Sequence, residues 1–254
     1  MQTPQREIRP GRIQQPILIL LVGLLVLGGC ANGGDRTADD MESEPATRLA
    51  ALESEYVTIL YEAPFARVHR IDLPTGAAIG SHEGGDRVIY AVTGYTVRLD
   101  TSDAEGRERS FETGDVHFHS GGVHSVVNTG TGDASYLVFE RTEKALGDVS
   151  PDGETLDTMS MPDGATHEVL LENDRAIVHR ITLDPGASLP PHAGYPRIVY
   201  ALTEYTLAFI DLQTDERRER SFTEGDLHDH GAGMHQVEND GDSPAEYLVV
   251  AFKR

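Results

Sequence analysis

The sequence predicts an all-β protein made of two tandem β-barrels of jelly-roll type, and three observations carry that expectation. From about residue 51 onward, short runs rich in Val, Ile, Leu and Tyr are separated by Gly, Pro and Asp, the pattern of many short strands. Nine Tyr, seven Phe and no Trp accompany 26 Gly and 13 Pro, a composition that suits turn-rich sheets better than a helical bundle. The chain also repeats itself. With a shift of 110 residues, 16 of the 31 positions from 66 to 96 are identical, and after one inserted residue the match resumes at Arg107-Glu-Arg-Ser-Phe111 and Arg218-Glu-Arg-Ser-Phe222. A period this long means two copies of a domain rather than a solenoid.

In chain order, residues 1–29 read as an export signal. Arg6, Arg9 and Arg12 precede an apolar run over 17–27 that is short for a membrane span, followed by Gly28, Gly29 and Cys30. Leu27-Gly28-Gly29-Cys30 resembles the lipobox of bacterial lipoproteins. That resemblance implies cleavage before Cys30 and acylation of its thiol, hence a membrane partner held through Cys30. With Ala31 next, it implies a lipoprotein of the cell envelope, on the outer membrane facing the periplasm rather than on the inner membrane. Several acyl chains anchor far more firmly than one. Cys30 is the chain's single cysteine, so no intrachain disulfide can hold the fold.

Residues 30–50 are mostly polar and small and read as a flexible tether. Without residues 1–29 the chain carries 18 basic and 41 acidic side chains, a net charge of −23. Such a surface repels phosphate backbones, which excludes nucleic acid as a natural partner. The acidity is read either as adaptation to high salt or as the plain character of an exported protein.

The two units are 51–141 and 163–254, joined by a linker over 142–162. Residues 66–73 and 176–183 read as strands. Turns follow at Gly76 and Gly186, preceded by Pro74 and Pro185, where Pro presets the bend and Gly accepts positive φ. Residues 87–92 and 197–202 read as buried strands, and 136–139 and 247–250 close each unit. Six to eight strands per unit, with no amphipathic helix, favour a closed barrel or jelly roll that limits exposed edges.

Candidate chemistry concentrates in one duplicated stretch. His117, His119 and His124 in the first unit correspond to His228, His230 and His235 in the second. Spacing of i, i+2 places His117 with His119, and His228 with His230, on one face of a strand. Val116 and Phe118 alternate with the histidines of the first unit, which points the apolar face inward and the histidines outward. Asp229 replaces Phe118 in the second, so the pattern there does not decide.

These residues resemble the cupin superfamily. Its first motif, a glycine, five residues and a histidine, is met by Gly76 to His82 and by Gly186 to His192. Its second is met by Gly114, His124 and Asn128, and by Gly225, His235 and Asn239, with Ser120 and Gly231 in place of the motif's proline. The resemblance implies two tandem cupin barrels (double-stranded β-helix), small-ligand cavities lined by His82 with His124 and by His192 with His235, and frequent pairing as homodimers. Metal-binding cupins use further ligands at positions that fall here on Gly84 and Gly194, and on Arg87 and Arg197 or their neighbours Val88 and Ile198. Only two imidazoles per unit therefore carry over, one short of the three protein ligands usual in a catalytic site.

Two functional readings follow. One is a binding or accessory lipoprotein whose cavities hold a small molecule. The other is an oxygenase or isomerase using a divalent metal, Fe, Mn, Zn or Ni, held by His82, His124, His192 and His235 with help from His117, His119, His228 and His230. Arg87 and Arg197 read as partners of nearby carboxylates or as clamps for an anionic group. His69 and His179 read as hydrogen-bonded strand residues, and Asn128 and Asn239 as turn formers.

Overall fold

The computed structural model describes residues 47–49, 54–101, 104–142, 153–212 and 214–253, with only the backbone of residues 104 and 105. The export signal, Cys30 and most of the tether lie outside the described residues. Both repeats fall in one compact unit. Each contains nine strands, against the six to eight expected, because the histidine stretch divides into two short strands and a further strand opens each unit.

The first repeat comprises β1 (Val57–Glu62), β2 (Ala66–Leu73), β3 (Ala78–Gly84), β4 (Arg87–Ala91), β5 (Tyr95–Thr101), β6 (Ala104–Phe111), β7 (Val116–His119), β8 (Gly122–Asn128) and β9 (Ala134–Arg141). The second comprises β10 (Ala165–Glu172), β11 (Ala176–Leu183), β12 (Ser188–Gly194), β13 (Arg197–Ala201), β14 (Tyr205–Ile210), β15 (Arg217–Phe222), β16 (Leu227–His230), β17 (Gly233–Asn239) and β18 (Ala245–Phe252). Each repeat folds into a five-stranded and a four-stranded antiparallel sheet. The orders are β1-β2-β9-β4-β7 with β3-β8-β5-β6, and β10-β11-β18-β13-β16 with β12-β17-β14-β15.

Three apolar clusters hold this together. One fills each barrel: Ile71, Leu73, Ile79, Ile89 and Val138 in the first, Ile181, Leu183, Leu189, Val199 and Val249 in the second. The third lies between the barrels, where the outer faces of the five-stranded sheets meet through Val68, Val88, Leu137, Phe139, Val178, Ile198, Leu248 and Phe252. Strands such as β4, β9, β13 and β18 are thus apolar on both faces, which explains their unbroken hydrophobic runs. At about 25 cal/mol per Å² of buried apolar surface, the side chains on these two faces are the main source of stability.

That third cluster corrects one expectation. Val116 and Phe118 pack against the interface between barrels, so alternation sends His117 and His119 into the first barrel, not outward. The strand has two buried faces, and an apolar residue on one of them says nothing about which face is inside. Segments preceding each barrel also join the fold. Leu49, in the stretch read as tether, and Leu156, in the linker, are both buried. Each directly follows a residue in a parallel bridge, Arg48 with Glu83 and Thr155 with Ala193, and each leucine lines the cavity of its barrel.

Candidate functional site

Inside the first barrel the cavity is lined by His82, His117, His119, His124 and Arg87, with apolar walls that include Leu49, Ile71, Tyr95 and Tyr136. Its volume is about 40 Å³, room for about three waters or a ligand of comparable size. Arg87, His119 and His124 also line an outer vestibule of about 290 Å³ between Leu99, Thr101 and the β7–β8 turn. The second barrel has a matching cavity of about 30 Å³ around His192, Arg197, His228, His230 and His235. All eight motif histidines and both arginines of the sequence reading are therefore brought to two equivalent interiors.

The histidine pairs are set by strand register. His82 on β3 stands opposite His124 on β8, with ring centroids 4.1 Å apart. His192 and His235 repeat this on β12 and β17, at 3.9 Å. His82 donates its Nδ1–H to the Gly80 carbonyl at 2.8 Å, and His192 donates likewise to Pro190 at 2.8 Å. A carbonyl only accepts, so each Nε2 keeps its lone pair. His117 and His228 play a packing part, stacked on Phe111 and Phe222 with centroids 4.0 Å and 4.5 Å apart.

The arginines decide the chemistry. Arg87 and Arg197, each 5% exposed, turn from β4 and β13 toward the histidine pairs. Arg87 donates through Nη1 to the Gly85 carbonyl at 2.9 Å and through Nη2 to His124 Nε2 at 3.1 Å. Arg197 donates through Nη1 to Tyr195 O at 3.1 Å and through Nη2 to His235 Nε2 at 3.0 Å. Weaker contacts reach Ser120 O and Gly231 O. Because a guanidinium cannot accept, His124 and His235 must present lone pairs to it, which fixes their tautomers. Among the described residues neither guanidinium has a carboxylate at ion-pairing distance, and at Arg87 the Glu140 carboxylate acts from farther away.

Burial sets the charge state. It pushes His117 and His124 down to about 3 and His119 to about 4, with the Arg87 cation adding to the effect at each. In the second barrel burial brings His228 to about 3 and His230 to about 4, and lowers His192 and His235 as well. Arg197 is itself lowered by burial, to about 10, and remains charged at neutral pH. Each cavity thus presents neutral imidazoles around one guanidinium.

A divalent metal does not fit this arrangement. The guanidinium occupies a lone pair that a metal would need, brings a positive charge to the same place, and leaves no carboxylate among the ligands. Among the described residues no group of three or more His, Cys, Asp or Glu is arranged to hold a metal ion. Gly84 and Gly194 belong to the same arrangement. A Cβ on Gly84 would lie 2.6 Å from Arg87 Nη1, and one on Gly194 would lie 2.5 Å from Arg197 Nη1. The glycines vacate the space that the guanidinium fills.

Sequence reasoning missed Glu140. It sits opposite Arg87 in the β4–β9 register, accepts the Gly85 N–H at 2.7 Å and lies 3.3 Å from His69 Nε2. A lone carboxylate at the end of the Tyr136-Leu-Val-Phe run, on the inward alternation with Tyr136 and Val138, was the available signal. His69 and His179 are strand residues with hydrogen-bond partners, Glu140 and His167. Asn128 and Asn239 clamp the turns that follow them, to Gly130 and Gly132 and to Gly241 and Ser243.

No protein-family model matches the sequence, and no curated protein is similar to it at a meaningful level. Solved structures are similar in fold. The oxalate decarboxylase of Lactobacillus farciminis, in a formate complex, is 13% identical with a TM-score of 0.57, over 78% of this chain and 80% of that one. AerE from Microcystis aeruginosa is 14% identical with a TM-score of 0.53, over 77% of this chain and 91% of that one. A Bacillus subtilis oxalate decarboxylase structure concerned with Mn(II) centres is 15% identical with a TM-score of 0.52, over 78% and 72%. At these identities the likeness speaks for architecture, and with the duplicated motifs and paired sheets it gives this chain a bicupin-like fold, two β-barrels in tandem.

Proposed function

We propose that the protein is a lipid-anchored binding protein of the cell envelope whose barrels hold a small organic anion, a carboxylate of few atoms, without turning it over. One observation carries this reading: a guanidinium buried in each cavity among neutral imidazoles, with no carboxylate at ion-pairing distance among the described residues. Burying an unpaired cation costs several kcal/mol, and a bound carboxylate offsets that cost through charge-assisted hydrogen bonds. Three of the five guanidinium N–H donors are used within the protein, which leaves about two for a ligand. The apolar walls and small volume select against large or strongly hydrated anions. The anchor and the envelope location rest on residues 1–30 alone.

The test is a thermal-unfolding titration of the full chain with sodium formate, acetate and oxalate against sodium chloride at equal ionic strength. A ligand that binds only the folded state raises Tm with concentration. A rise with a carboxylate that chloride does not match, abolished in Arg87→Met with Arg197→Met combined, supports the proposal; indistinguishable curves for all four salts refute it.

A metal-dependent cupin enzyme is the second reading. It is favoured by the facing pairs His82 with His124 and His192 with His235, and by the oxalate decarboxylases among the similar folds. It requires Arg87 or Arg197 to leave its cavity. Elemental analysis after reconstitution of untagged protein with Mn, Fe, Zn or Ni separates the two. Near-stoichiometric metal lost in His82→Ala or His192→Ala favours the enzyme, and trace metal with retained carboxylate binding favours the binding protein.

A further inference from the structure

The repeats are alike at the histidines and arginines but differ at the position facing each arginine. In the first barrel the β4–β9 register sets Arg87 opposite Glu140. In the second the β13–β18 register sets Arg197 opposite Ala251. Side chains of such partners share a face, with Cβ atoms about 5 Å apart. Glu140 and Arg87 therefore share the inward face of the sheet, with Glu140 at the barrel's end, where it lines an outer pocket beside Gly84 and Gly85, and Ala251 leaves the corresponding register position uncharged in the second.

The surroundings follow from this difference. Glu140 is fixed by the Gly85 N–H at 2.7 Å and by His69, so its charge cannot swing away. Burial opposes its ionisation, yet those two hydrogen bonds and the Arg87 cation hold it below the usual carboxylate range. In the second barrel His179, the counterpart of His69, is bonded to His167 at 2.6 Å instead. Asp157, carried in by the linker, lines a void beside Arg197, but it is held by Thr155 and interacts with His179 and Lys253. The titratable neighbour that bears on Arg197 is the Tyr247 phenol, which burial keeps uncharged at physiological pH.

Resting on the reading of the protein as a carboxylate binder, we infer that the C-terminal barrel is its anion site, and that Glu140 is the residue that makes the N-terminal barrel the weaker one. A carboxylate entering the first barrel approaches a guanidinium whose charge is already offset by the fixed carboxylate of Glu140. One entering the second meets an uncompensated cation. The repulsion from one fixed charge a few ångströms away, at the effective dielectric of a protein interior, reaches at least about tenfold in affinity.

Isothermal titration of sodium formate and of sodium oxalate into the full chain at pH 7.5 tests this. One dominant site is expected in the wild type. Arg197→Met removes it. Glu140→Gln, which keeps a carbonyl for the Gly85 N–H and removes the charge, is expected to add a second site within about tenfold of the first. Ala251→Glu is expected to weaken the dominant site about tenfold; circular dichroism checks that each variant folds, and Glu140→Gln carries the test if Ala251→Glu does not. Two equal sites in the wild type, or a dominant site that survives Arg197→Met, overturns the inference and leaves carboxylate binding standing. No binding in the wild type or in Glu140→Gln overturns the carboxylate reading itself.

Discussion

Gly194 and Arg197 form one unit: the guanidinium folds back over the glycine so closely that a Cβ there would lie 2.5 Å from Nη1. Gly84 and Arg87 do the same at 2.6 Å. Neither glycine has a positive φ, so space alone requires it. One position of each pair carries no side chain and the other carries the cation that fills the space.

Gly194→Ala should therefore displace the Arg197 guanidinium rather than strain the backbone. The expected cost is about 1–3 kcal/mol of stability, the range for overpacking a close contact, together with weakened carboxylate binding. Urea unfolding and formate titration of the same variant check both. Unchanged stability and unchanged binding would mean the guanidinium lies elsewhere in solution.

Much of the fold was legible because duplication wrote each element twice, and the β2 and β11 bounds coincide with the stretches read as strands. The histidine orientation was not legible in the first repeat. Phe118 looks like the inward member of an alternating strand, but its face is covered by the second barrel, and nothing local records that. The contact of Arg87 with His124 was hidden for a related reason, since the sequence leaves the arginine as a carboxylate partner or an anion clamp until Gly84 is seen to make room for its guanidinium. Glu140 was missed because its partner Gly85 lies 55 residues away in the chain.

Acid should destabilise the protein well above the range where carboxylates titrate. His117, His119, His124, His228 and His230 have folded values near 3 to 4 because they are buried, whereas in the unfolded chain they titrate near 6.5. Below that pH the unfolded state binds more protons than the folded one, so stability falls as pH falls. The contribution is complete above about pH 6.5 and is lost progressively toward pH 3 to 4. Urea midpoints should drop between pH 7.5 and pH 5, and replacing His117 by Phe should reduce that drop. A flat profile over this interval would show that the rings are solvated.

Cys30 is expected to carry the lipid. Cells expressing the protein with radiolabelled palmitate should yield a labelled band that fractionates with membranes, and Cys30→Ser should lose the label and the membrane association together. Membrane association that persists unlabelled in Cys30→Ser would assign residues 1–29 to an uncleaved anchor instead.

The interface between barrels offers the cleanest energetic test, because the repeat supplies its own control. The Tyr61 hydroxyl on β1 donates to Asp229 Oδ1 on β16 at 2.6 Å. The corresponding residues are Leu171 on β10 and Phe118 on β7, both packed against the interface core. One contact between repeats is thus polar and its counterpart apolar. This also explains why Asp229 breaks the alternation that Phe118 keeps. Tyr61→Leu alone leaves a half-buried carboxylate without its donor, and Asp229→Phe alone leaves a hydroxyl without its acceptor, so each should cost about 1–2 kcal/mol. The double variant reproduces the apolar contact of the other side and should recover most of that loss, giving a coupling of about 1 kcal/mol or more in a double-mutant cycle. Strictly additive losses would mean that the two side chains do not meet across the interface.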